Sequence, residues 1–136
     1  MPHTLMSDKV TDGIRVRAMA TYLRDQSQPS ENKFFFAYKI IISNEGTKRA
    51  RLLSRHWVII NGNGDREDVE GPGVIGKTPN IAPGDAFEYT SFCPLNTDWG
   101  TMEGTYRMQR EDGTVFDVVI GRFYLAMNAP WMAEAL

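Results

Sequence analysis

Gly71, Gly73 and Gly76 stand at G-x-G-x-x-G spacing in the stretch GPGVIG. Loops that hold the pyrophosphate of a dinucleotide use this spacing, because glycines permit a tight turn and a close approach of backbone to phosphate. Lys77 follows directly and adds a cation. That chemistry needs a strand before the glycines and a helix after them, whose N-terminus supplies free amides and a dipole. Here the glycines are followed by KTPNIAPGD, with Pro79 and Pro83. A helix is not expected across two prolines so close together, so a doubly wound nucleotide-binding domain is rejected. Two readings remain. The loop is a tight connection between strands that needs positive φ at its glycines, or its amides form a concavity for an anion without a helix. The connection is the default. The rival site would comprise Gly71, Gly73, Gly76 and Lys77, with Arg51 and Arg55 as further cations.

Other reactive residues are few. Lys48, Arg49, Arg51 and Arg55 lie close together, and strict strand alternation places Arg51 and Arg55 on one face with Leu53 and Trp57. Such a face could receive a phosphate or an acidic partner. The preferred reading is charge at a sheet edge that discourages aggregation. Cys93 and His56 are conceivable as nucleophile and base. However, Cys93 shares its strand face with Phe87 and Tyr89, which suits a buried, inert thiol. His56, beside Trp57 in an apolar strand, reads as a hydrogen-bonded structural histidine. His3 and His56 are the sole histidines, so zinc ligation is not expected. The carboxylates Asp65, Glu67, Asp68 and Glu70 cluster, but Glu67 and Asp68 must face opposite sides of a strand. A solvated hairpin is preferred there over a weak magnesium site. No catalytic constellation, cofactor or metal is expected, and the chain reads as a non-enzyme.

The elements that must position these residues are strands. IRVRAMATY (14–22) alternates apolar and polar positions, as does AFEYTSFC (86–93), with Phe87, Tyr89, Ser91 and Cys93 on one side. KFFFAYKIII (33–42) is rich in aromatic and β-branched residues. RARLLSRHWVII (49–60) is apolar on both faces in its second half and belongs in the middle of a sheet. Asn61-Gly62 and Asp112-Gly113 are hairpin signals, REDVE is a short polar strand, and KTPNIAPGD is loop. Seven or eight strands with turns between them, and no helix, predict an all-β sandwich or barrel. The segment 34–42, if it lies at an edge, could pair two subunits, and it could equally be central. Residues 1–13 read as a flexible lead-in, 14–126 as the domain and 127–136 as a loose tail from which Trp131 and Leu136 could dock.

The chain has 136 residues, 42% hydrophobic and 24% charged, which suits one ordinary globular domain. A net charge of −2 gives no broad attraction for nucleic acid or an acidic membrane. The single cysteine, Cys93, cannot form an intrachain disulfide and points to a reducing, cytoplasmic compartment. No apolar run approaches a bilayer span, and the first residues lack the apolar core of a signal peptide.

Several blocks, in order and spacing, resemble the ApaG family: DQSQP (25–29), FFFAYKIIISNEG (34–46), LLSRHW (52–57), VEGPGVIGKTPNIAPGDAFEYTS (69–91), CPL (93–95), GTMEGTYRM (100–108) and FDVVIGRFYLA (116–126). The resemblance runs from about residue 14 to 126. Small departures fall at Arg24-Asp25, Phe92 and Asp98, at loop or strand-end positions. It implies a fibronectin type III-like sandwich of two antiparallel sheets, cytoplasmic residence and no established enzymatic activity. It also implies an association with cobalt and magnesium tolerance. Similar domains occur in an F-box protein and a DNA-polymerase-δ-interacting protein, which implies protein binding. The family shares the glycine motif, which implies pyrophosphate or dinucleoside polyphosphate binding as the alternative.

Overall fold

The computed structural model describes residues 5–128. His3 and the expected docking residues Trp131 and Leu136 lie outside the described residues. Among the described residues nine strands run in chain order: β1 (Ser7–Thr11), β2 (Ile14–Tyr22), β3 (Phe34–Asn44), β4 (Ala50–Asn61), β5 (Arg66–Pro72), β6 (Asn80–Ile81), β7 (Ala86–Leu95), β8 (Trp99–Arg110) and β9 (Val115–Ala126). Two single 3₁₀ turns, Arg24–Gln26 and Pro29–Glu31, bridge β2 and β3. All pairing is antiparallel, in two sheets ordered β1-β2-β3-β7 and β5-β4-β8-β9. The expected all-β sandwich is therefore the fold.

The sheets form where period-two patterning predicts them, because each strand has one apolar face to bury. In β2, Ile14, Val16, Ala18 and Ala20 are buried, and in β3 so are Phe34, Phe36, Tyr38, Ile40 and Ile42. From the other sheet come Leu52, Trp57, Met102, Tyr106, Val118 and Phe123. Trp57 is the hub, with ring centroids of Tyr38, Phe123 and Tyr106 at 5.4, 5.9 and 6.3 Å. Removing an aromatic side chain so placed costs about 3–5 kcal/mol.

Two expectations change, for residues 7–11 and for KTPNIAPGD, and one open alternative, for 34–42, is decided as central. Residues 7–11 are not lead-in: Ser7 to Thr11 pair with Ala18 to Ile14 as an edge strand. Segment 34–42 is flanked by β2 and β7, so it has no open edge through which a second copy could pair. Within KTPNIAPGD, Asn80 and Ile81 make a short strand against Arg51 and Ala50.

The largest revision concerns β4. Leu52 pairs with Met108 and Ser54 with Arg107, so Leu53 is an extra, bulged residue. A bulge shifts the alternation by one. Ala50 and Leu52 face the core before it, and Arg55 and Trp57 after it. Arg51 and Arg55 therefore occupy opposite faces, contrary to strict alternation.

The glycine motif sits beside this bulge. β5 and β6 lie end to end along the same edge of β4. Between them the chain makes an excursion: Gly73 N–H donates to the Leu53 carbonyl at 2.8 Å, and Leu52 N–H donates to the Pro79 carbonyl at 2.9 Å. The tip is a two-residue turn, with φ of 43° at Ile75 and 76° at Gly76, the signs of a type I′ hairpin. Gly73 also has positive φ (59°), and a Cβ there would collide with the Lys77 carbonyl oxygen. Around Gly76 the same added atom meets open space.

Gly73→Ala is thus expected to lower stability by about 2 kcal/mol or more, and Gly76→Ala by about 1 kcal/mol, from the left-handed backbone alone. Urea unfolding of the two variants measures the difference. Equal effects would contradict this loop geometry.

Candidate functional site

β5 and β7 are the end strands of their sheets on one side of the sandwich, and a cleft of about 590 Å³ opens between them. On the opposite side β1 and β9 close against one another. Tyr38, Trp57 and Met102 form the floor of the cleft, and Val69 and Val74 line one side of it. Ile75 and Phe92 border the cleft, 52% and 65% exposed, Phe92 on the outward face of the end strand β7.

The bulge at Leu53 turns Arg55 into this cleft. Its Nη1 donates to the carbonyls of Pro72 and Gly73, both at 2.9 Å. Gly71 pairs opposite Arg55, and a Cβ on it would stand 3.0 Å from Nη2. Gly71 is therefore bare because the guanidinium lies over it. Arg55 has no carboxylate partner among the described residues, a condition it shares with Arg51 and Arg110, whereas Arg15 pairs with Asp8 at 2.6 Å. Trp57 lines the same cleft, and its buried indole N–H has no acceptor.

Three phenols complete the interior. The Tyr89 and Tyr106 hydroxyls are hydrogen-bonded across the two sheets. Burial pushes the Tyr89, Tyr106 and Tyr38 phenols above their ordinary range, and the Arg55 charge acts in the opposite direction on all three. These phenols are neutral at neutral pH. Arg55 and Glu67 are then the charged side chains of the cleft.

The six candidate anion-binding residues do not form one site. The N–H groups of Gly73, Val74 and Lys77 donate to the carbonyls of Leu53, Lys77 and Val74, each at 2.8 Å. The loop thus consumes the amides an anion cradle would use. Gly71 belongs to β5, and Lys77 is exposed beyond the turn. Arg51, on the other face of β4, donates to the Thr78 carbonyl at 2.9 Å. Arg51 and Arg55 therefore clamp the two arms of the loop from opposite faces. Strict alternation could not reveal this, because the bulge has no obvious sequence signal.

Cys93 and His56 are also separated. Cys93 is buried within the sandwich, while His56 is turned to the outer face by the bulge. Its Nε2 lies 2.8 Å from Asp68 Oδ2, and Arg66 Nε lies 2.7 Å from Asp68 Oδ1. Arg66, and then His56, hold the Asp68 carboxyl below the usual carboxylate range. Glu67 lines the cleft while Asp68 faces outward, as alternation requires. Among the described residues no group of three His, Cys, Asp or Glu side chains could hold a metal ion, and no helix is long and apolar enough to cross a membrane.

Sequence reasoning missed Ile75, Phe92 and the unpartnered Trp57 N–H. A signal existed for two of them. Ile75 is a β-branched residue inside a glycine turn, and alternation of AFEYTSFC turns Phe92 away from the core.

Two antiparallel sheets with a cleft between unpaired strand edges define an all-β sandwich domain. The chain belongs to the ApaG family: residues 24–110 match the ApaG domain. It is 48% identical to Protein ApaG of Anaeromyxobacter dehalogenans over 122 residues, covering 90% of this chain and 96% of that protein. It is 49% identical to Protein ApaG of Methylobacterium nodulans over 126 residues, covering 93% and 95%. A crystal structure described as an ApaA protein from Bordetella pertussis superposes with a TM-score of 0.82 at 46% identity, covering 84% of this chain and 93% of that one.

Burial, reinforced by the charge of Glu67, pushes the Cys93 thiol up to about 12. The thiol form dominates at every pH below that value. Reaction with a disulfide reagent at pH 8 is expected to be slower by at least about a hundredfold in the native protein than in urea-unfolded chain. Comparable rates would show that the cleft exposes Cys93.

Proposed function

We propose that this protein is a non-catalytic interaction module that receives a protein partner at the cleft between β5 and β7. The observation that carries this reading is the exposed apolar pair bordering the cleft. Phe92 and Ile75 are 65% and 52% exposed, and Ile75 holds a φ of 43° that a β-branched residue adopts only at a cost. Exposed apolar side chains around a groove favour association. Two end strands flank the groove, and their outward backbone groups suit pairing with another chain. The association with cobalt and magnesium tolerance enters this proposal as an indirect consequence of the partner. Cytoplasmic residence is part of the same proposal.

The rival is pyrophosphate or a dinucleoside polyphosphate at the glycine loop. Three of its amides are already bonded to carbonyls, which leaves that reading the weaker one. Calorimetric titration with pyrophosphate and with diadenosine tetraphosphate separates the two. Saturable heat that disappears in an Arg55→Gln variant would favour the rival.

Affinity capture with wild type, Phe92→Ser and Ile75→Gly tests the interaction reading. Ile75→Gly relieves the backbone strain, so stability is expected to be unchanged or raised by up to about 1 kcal/mol. Loss of the captured partner in both folded variants is the expected outcome. Capture of the same proteins by all three would remove the cleft from the interaction, and capture of none would remove the interaction itself.

A further inference from the structure

We propose that the partner enters the cleft as an extended, apolar peptide segment carrying one acidic side chain, whose carboxylate pairs with Arg55. This rests on the interaction reading above and specifies what the cleft recognises.

A guanidinium presents five N–H donors. Arg55 uses Nη1 for the carbonyls of Pro72 and Gly73 and has no carboxylate partner among the described residues. Fixing one side of the fork leaves Nε and Nη2 oriented without further loss of side-chain freedom, which favours a planar, two-oxygen acceptor. Gly71 preserves that orientation, since a Cβ would stand 3.0 Å from Nη2. The phenols nearby are held neutral by burial and supply no counter-charge. Glu67 at the mouth makes no ion pair with Arg55, and it disfavours a densely anionic ligand such as a polyphosphate. A single carboxylate fits this balance.

The floor and walls of the cleft are largely apolar, with Trp57, Ile59, Val69 and Met102 among them, and suit an apolar side chain next to the acid. The cleft also runs beside β7, which among the described residues pairs with β3 alone. An extended segment matches that edge better than a helix does.

Selection of displayed random dodecapeptides on the folded protein tests the proposal. The expected consensus is one Asp or Glu beside an apolar residue. The best peptide is then synthesised with its acid replaced by the amide, which leaves the protein untouched. Binding to wild type is expected to weaken by about tenfold to a hundredfold, the loss of a charge-assisted hydrogen-bonded pair. With Arg55→Gln, verified as folded by its melting curve, the two peptides are expected to bind equally. A consensus without acid, or an acid-to-amide penalty that persists in Arg55→Gln, overturns the proposal and leaves the interaction reading intact provided that Phe92→Ser abolishes binding. Peptides bound equally by wild type and Phe92→Ser, or no enrichment at all, overturn both.

Discussion

One inserted residue organises this molecule. Leu53 has no partner in β8, so the alternation of β4 shifts by one between Leu52 and Ser54. The apolar residues on either side of that point are out of phase, with Leu52 and Trp57 both buried although five positions apart. Without the bulge a straight strand could bury only one of them. The same shift decides every polar neighbour. Arg55 turns inward beneath the sandwich, while His56 turns out to meet Asp68. The placement of Trp57 at the centre of the aromatic hub and the charged cleft thus depend on one irregularity, while a second register shift between β8 and β9 brings Phe123 to the same core.

The glycine motif belongs to that irregularity. β5 and β6 together form one edge along β4, interrupted where the bulge lies. The chain must leave and rejoin this edge, and it does so with bonds from Gly73 to Leu53 and from Leu52 to Pro79. Each glycine then has its own reason. Gly71 makes room for a guanidinium, Gly73 avoids a carbonyl, and Gly76 completes a turn of positive φ. Three separate constraints reproduce a spacing that elsewhere signals a cofactor.

Fold class was legible because alternation and turn chemistry are local. The hairpins at 61–65 and 112–113 and the strand face of Tyr89 and Cys93 follow from a few adjacent residues. What was not legible is non-local or irregular. β1 is polar enough to read as lead-in, and it exists because β2 offers an edge. The bulge in RLLSRHW leaves no mark, since Leu52 and Leu53 look alike in sequence while only Leu52 is fully buried. The error about Arg51 and Arg55 followed from that single residue. The cleft was illegible for a related reason: it lies between strands that are remote in sequence and never hydrogen-bond to each other.

Arg55 can be regarded as a clamp for the loop and nothing more, but its position argues against sufficiency. Two carbonyls occupy Nη1 alone, and Arg51 shows that an exposed arginine can hold the loop's other arm from solvent. Placing the charge inside a partly apolar cleft adds desolvation that a surface clamp avoids. Ile75 adds backbone strain at the same mouth, which glycine at that position would relieve without disturbing the sheets. A desolvated charge and a strained, exposed apolar residue in one cleft suit an extended ligand that brings a carboxylate and apolar surface together.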